Sequence, residues 1–87
     1  MAKVIARVKI LPKDIATKPD VILNSISGFK LIKYQVEPIA FGLNAIIADF
    51  ELDDAEGGTD PLEQALLTNK LISEMEVIGV SNARTKL

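Results

Sequence analysis

An α+β sandwich, ordered strand, helix, strand, strand, helix, strand, is the architecture this sequence predicts, and three observations predict it. Residues 3–11 alternate between apolar and charged; two stretches opened by proline, at Pro19 and Pro61, carry helix start signals; and two further alternating runs, 29–36 and 43–52, are separated by a short bend holding Pro38 and Gly42. A period of two marks a strand with one buried face. Proline suits a first helical position because the N–H it lacks has no partner inside the helix.

Each element follows from its residues. In the first strand Val4, Ala6, Val8 and Ile10 fall on one face and Lys3, Arg7 and Lys9 on the other, and Pro12 ends it. The first helix runs from Pro19 to Ile26, with Val21, Ile22, Ser25 and Ile26 on one face and Gly28 as the stop. At about ten residues it is marginal alone and must be held by packing on a sheet. The second strand extends from Phe29 to about Val36, Ile32, Tyr34 and Val36 alternating with Leu31, Lys33 and Gln35. In the third, 43–52, Ile46, Ala48, Phe50 and Leu52 share a core face while Asp49 and Glu51 are among the residues that face water. A polar turn, 53–61, leads into the second helix, for which Asp60 is the expected N-cap, Pro61 the first residue and Glu63 the capping-box partner. That helix continues to about Leu71, with Leu62, Ala65, Leu66 and Ile72 as its apolar stripe, and a fourth strand covers 74–80.

This order is a duplicated split β-α-β unit, and its standard packing is the ferredoxin-like βαββαβ sandwich, a four-stranded antiparallel sheet with two helices on one face. The chain has 87 residues, enough for one two-layer core and too few for a second, so 1–87 reads as a single domain. Fold alone does not name a function; sites must.

Composition removes most chemistries. There is no Cys and no His, so disulfides, thiolate metal sites and the commonest general base are absent. Ser25, Ser27, Ser73 and Ser81 have no histidine to activate them. Asp53, Asp54 and Glu56 lack the alternation of a calcium loop, and Gly57-Gly58 lacks the lysine and spacing of a phosphate-cradling loop, so this stretch reads as a solvated turn. No enzyme activity, metal or cofactor is expected. Ten basic residues against twelve acidic give a net charge of −2, a poor match to a phosphate backbone. Phe29, Tyr34, Phe41 and Phe50 are the only aromatics, and Asn44, Asp49, Glu74 and Glu76 stand where a nucleic-acid-binding sheet would carry cations, so no direct nucleic-acid partner is expected. No apolar run approaches the roughly 20 residues that span a bilayer, and Met1-Ala2-Lys3 leads straight into alternating residues. A soluble, cytoplasmic chain with no membrane partner is the expectation.

The most informative segment is Glu37-Pro38-Ile39-Ala40-Phe41-Gly42-Leu43. Pro38 removes a donor and biases Glu37 toward an extended shape, while Gly42 permits backbone angles that a side chain forbids, so the chain bends sharply at a sheet rim. Phe41 then projects from the corner. Residue chemistry alone favours the competing reading, in which Phe41 folds back into the core, because most aromatic side chains bury.

Four features together carry a resemblance: the first strand ending in Leu11-Pro12, the 37–43 heptapeptide, the acidic turn Asp54-Ala55-Glu56-Gly57-Gly58-Thr59, and Met75-Glu76-Val77 in the last strand. They resemble the archaeal translation elongation factor 1-beta family and, more distantly, the catalytic carboxy-terminal domain of the eukaryotic subunit of that name. The likeness spans nearly the whole chain, and its most specific piece is Pro38 to Leu43. It implies guanine nucleotide exchange on the GTPase elongation factor 1-alpha, with no bond made or broken. In that family an aromatic residue at the position of Phe41 inserts into the GTPase surface, and a lysine near the carboxyl terminus approaches its magnesium and phosphate site. The implied partner-binding set is Pro38, Ile39, Ala40, Phe41 and Gly42 from the corner, with Arg84 or Lys86 from the chain end. Counting back from the end aligns Lys86-Leu87 with the family's Lys-Leu terminus, whereas anchoring on Val77 puts the position near Ser81 or Asn82. The resemblance at the terminus implies a flexible tail in which Lys86 or Arg84 supplies the cation, beside the alternative that Arg84 and Lys86 are solvated end residues. The first helix is shorter than family members carry. A small-ligand-sensing ferredoxin-like regulatory module is the alternative function; it predicts a Gly-rich loop after the first strand, and 12–18 contains no Gly.

Overall fold

A computed structural model describes residues 3–26, 28–39, 42–53 and 58–82. Strand β1 is Lys3–Pro12, helix α1 Pro19–Asn24, β2 Lys30–Pro38, β3 Asn44–Asp53, α2 Asp60–Leu67 and β4 Ile72–Asn82. The strands form one antiparallel sheet in the order β2-β3-β1-β4. This is the ferredoxin-like α+β arrangement that the element order predicts.

The pleat decides what is buried. Ala6, Val8 and Ile10 of β1 and Ile46, Ala48, Phe50 and Leu52 of β3 form one cluster with Ile22, Leu23 and Ile26 from α1 and its exit and with Leu62 and Leu66 of α2. Both helices therefore cover the same face of the two central strands. Val4, Met75 and Val77 pack against the cluster's margin. The α1 face departs from the expected one: Val21 is exposed, and Leu23 takes its place in the core. Ile72 is buried as well, at the start of β4 and not as the last turn of α2, which stops at Leu67.

The second helix also begins one residue away from its expected cap. Thr59 is the N-cap, its carbonyl accepts from the Glu63 N–H at 2.9 Å, and its hydroxyl donates to Glu63 Oε2 at 3.3 Å. Asp60 is the first helical residue, where its negative charge favours the positive end of the helix dipole. At the helix exits, the Ser25 hydroxyl donates to the Ile22 carbonyl and accepts from Asn69 Nδ2 at 2.8 Å, tying the end of α1 to the end of α2.

Helix length leaves one strand uncovered. The six residues of α1 span roughly 9 Å at ~1.5 Å per residue, whereas the nine of β2 span roughly 30 Å at ~3.4 Å per residue. Every residue of β2 is exposed. Its register also slips: Leu31 pairs with Phe50 and Lys33 with Asp49, leaving Ile32 as an extra residue. The bulge puts Leu31, Tyr34 and Val36 opposite Phe50, Ala48 and Ile46, on the helix side. Simple alternation puts Leu31 on the other face, with Lys33 and Gln35.

Candidate functional site

The corner between β2 and β3 is built by its backbone. Pro38 pairs with Asn44 as the last rung of the ladder, and beyond it the Ile39 N–H donates to the Leu43 carbonyl at 2.8 Å. That bond closes a tight loop, and the loop requires a left-handed residue: Gly42 has φ 76°. Nothing lies within 4 Å of where a Cβ on Gly42 would stand, so backbone conformation and not space demands glycine. Pro38 and Gly42 are exposed and Ile39 is half-buried. The expected bend at a sheet rim is present. Ala40 and Phe41 lie outside the described residues, as do Arg84 and Lys86.

Strand direction fixes how the corner relates to the other end of the chain. At the corner end β1 is finishing and β4 beginning, since Ile10 pairs with both Ile46 and Met75. At the opposite end Val4 pairs with both Leu52 and Asn82. From Val4 to Ile10 the sheet advances roughly 20 Å at ~3.4 Å per residue. The corner and the exit of β4 are therefore on opposite ends of the molecule, and the structure does not bring them together.

The face without helices carries a charge ladder centred on β3. Asp49, 2 % exposed, accepts from Arg7 Nε at 2.9 Å and from Arg7 Nη2 at 3.1 Å, with Lys33 Nζ at 3.9 Å on the other side. The hydrogen bonds and then the charge of Asp49 raise Arg7 above its ordinary value, so the guanidinium stays protonated at any working pH. Lys30 lies 4.0 Å from Glu51, and Lys3 3.5 Å from Asp53. Asp49 was expected to face water. It points to the predicted face, but β3 is flanked by strands on both sides, and the side chains of Arg7 and Lys33 close over it. These pairs stitch β1 and β2 to β3; they occupy their acids rather than offer them to a ligand. Among the described residues no group of three or more acidic, His or Cys side chains is placed to hold a metal. No helix of the described residues is long and apolar enough to cross a membrane.

One feature escaped the sequence reading. Leu31, Tyr34 and Val36 form an exposed apolar stripe leading along β2 into the corner. The signal was in the sequence, since all three are apolar, but the bulge that puts Leu31 on the same face as the others has no signature in the alternation.

Comparison with known proteins meets this geometry along nearly its whole length. The model of the EF-1 guanine nucleotide exchange domain matches residues 5–82, a stretch that includes the corner and stops before Arg84 and Lys86. Elongation factor 1-beta of Staphylothermus marinus is 37% identical over 86 residues, covering 92% of this chain and 96% of that protein. Those of Methanocella arvoryzae and Sulfurisphaera tokodaii are 40% identical over 70 residues (75% of this chain, 79% of the relative) and 34% identical over 87 residues (93% and 96%). With a fold of the expected topology, a backbone-defined corner and a family match across both, this chain belongs to the EF-1 guanine nucleotide exchange domain family.

Proposed function

We infer that this protein is a single exchange domain that speeds GDP release from elongation factor 1-alpha in the cytoplasm and leaves the GTPase open to reload with GTP. The observation that carries the reading is the corner. Pro38, Ile39 and Gly42 belong to a tight loop in which Pro38 and Gly42 are exposed, Phe41 precedes Gly42 in the sequence, and the family match runs through this segment.

The mechanism needs no covalent chemistry, and the protein does not act as an enzyme in the bond-making sense. In the GTPase, Mg²⁺ bridges the nucleotide phosphates and the GTPase's own ligands, so moving it removes much of the electrostatic hold on GDP. A cation brought to that site by Arg84 or Lys86 opposes Mg²⁺ and pairs with the groups it leaves. The corner, with Ala40 and Phe41, supplies binding. Support for two separate contacts comes from strand direction: Arg84 and Lys86 are tethered within roughly 15 Å of Asn82 at ~3.6 Å per residue, and Asn82 is at the end opposite the corner. The domain then acts as a strut that engages the GTPase at two places.

Energetically, the factor works by binding the empty GTPase better than the loaded one, since a partner shifts an equilibrium only by its differential affinity. Linkage makes this reciprocal: GDP weakens the factor's grip by the same ratio as the factor weakens that of GDP. The test is a pair of binding titrations with purified elongation factor 1-alpha, one nucleotide-free and one loaded with GDP and Mg²⁺. At least a tenfold preference for the empty form is expected; equal affinities would overturn the reading.

A further inference from the structure

We propose that the apolar stripe of β2, formed by Leu31, Tyr34 and Val36, is part of the surface that grips the GTPase, continuous with the corner. This deepens the exchange reading and rests on it.

A specific protein–protein contact takes about 800 Å² from each partner, spread over roughly 20–30 residues. The corner, 38–42, is far too small to supply that, even with a second contact from the chain end, and surface that adjoins the corner is where the contact can spread without a gap. Of the described elements that reach the same end of the sheet, β1 ends in buried Pro12, β4 starts with buried Ile72 and β3 opens with buried Ala45 after exposed, polar Asn44. Ile15, after β1, and Leu67, at the end of α2, are more exposed, at 63% and 65%, but they adjoin β1 and β4 and not the β2–β3 corner. Of the strands, β2 is the one that runs into the corner with exposed apolar side chains, and Val36 stands two positions before Pro38.

The fold covers these residues only in part. Leu31, Tyr34 and Val36 are 37%, 45% and 42% exposed, although their register partners Phe50, Ala48 and Ile46 are all buried. They lie on the core side but outboard of the core, beyond the reach of α1. The bulge at Ile32 aligns Leu31 with the other two and leaves Lys33 to pair with Asp49 on the opposite face. The result is an edge strand with one apolar face and one charged face, which commits a partner to approach from the helix side.

The sequence of β2 favours the GTPase over a second copy of this chain. Two copies joined antiparallel about Tyr34 would set Leu31 against Glu37 and Lys30 against Pro38, which has no N–H to give. That pairing leaves an apolar side chain beside a carboxylate and a broken ladder at both ends. An apolar surface on the GTPase beside its contact with the corner has neither defect.

The test measures GDP release from elongation factor 1-alpha as a function of factor concentration for wild type, Tyr34→Asp, Val36→Asp and, as the matched control on the opposite edge, Ile78→Asp, whose exposure of 45% equals that of Tyr34. Tyr34→Ser and Val36→Thr accompany them in case a carboxylate disturbs folding, with melting followed for all. The expected result is a half-saturating concentration raised about tenfold or more for the two aspartates and two- to fivefold for the milder variants. Maximal release rates and melting should stay unchanged, and the control should stay at wild type. Folded variants with a wild-type curve would overturn the inference alone. A wild-type protein that does not accelerate release would overturn the exchange reading and this inference with it. Sedimentation that shows a wild-type dimer dissociated by Val36→Asp would give the stripe to a second copy and overturn the inference too.

Discussion

At one end of the sheet the chain turns through a loop clamped by the Ile39–Leu43 backbone bond and by a left-handed Gly42, with an apolar strand leading into it. At the other end β4 finishes at Asn82 against Val4, beside Lys3 and Asp53, and the residues that follow bring Arg84 and Lys86. One end is shaped by backbone geometry and has an apolar strand face leading into it; the other is charged, and the sequence beyond it carries two further cations. The difference teaches how a domain without a catalytic constellation could still act on a bound nucleotide. Rigid apolar surface gives affinity, because little entropy is lost when it docks. A long cationic side chain gives reach into a phosphate site, where its charge matters more than its shape. On this account, damage at the corner raises the concentration of factor needed, and damage at the exit lowers the rate reached at saturation.

Four measurements bear on that division of labour. Phe41→Ala should have the largest effect: an aromatic anchor is typically worth 2 kcal/mol or more, so half-saturation should rise about 30-fold, with the maximal release rate and melting nearly unchanged. A large drop in melting with normal exchange would place Phe41 in the core instead. Removing residues 84–87 should lower the maximal rate about tenfold, the effect of one charge-assisted contact of ~1.4 kcal/mol, and leave half-saturation within about twofold. The opposite split would reverse the roles of the two ends.

Gly42→Ala comes third. With no atom within 4 Å of the new Cβ, the cost is the left-handed conformation alone, about 1–2 kcal/mol. That cost falls on stability if the loop holds its shape, and on half-saturation if the loop relaxes; calorimetry beside the exchange curve distinguishes them. The smallest effect belongs to Lys33→Ala. Its 3.9 Å contact with Asp49 is exposed on the lysine side, and such pairs contribute ~0–1 kcal/mol. Melting should shift by a few degrees at most and exchange should stay constant, because the charged face of β2 is not the face that docks.

How much of this was legible in the sequence depends on which residues had one meaning. The faces of β1 and β3 were legible because Val8, Ile10, Phe50 and Leu52 have only one favourable side of a pleat, and a slip by one residue would expose all of them. The corner was legible because Pro38 and Gly42 each restrict the backbone in a way other residues do not. The start of α2 was only half legible: Thr59 and Asp60 are both good cap residues, and the helix opens on Asp60, which leaves Thr59 as the cap. The α1 face went wrong at Val21 and Leu23, since in a helix of six residues the period has too few turns to define a stripe. The bulge at Ile32 was illegible, because β2 is exposed on both faces and burial imposes no register on it. The burial of Asp49 could not be read from alternation, which says which face a side chain takes but not what its neighbours do to cover it. The separation of the two ends followed only once β4 was placed antiparallel beside β1.

The most direct test of the central claim is stopped-flow release of fluorescent GDP from elongation factor 1-alpha in excess unlabelled GDP, across a range of concentrations of this protein. The release rate should climb well above the spontaneous one and saturate, as expected for a factor that binds and then loosens the nucleotide. A rate that stays at the spontaneous value at every concentration would contradict it.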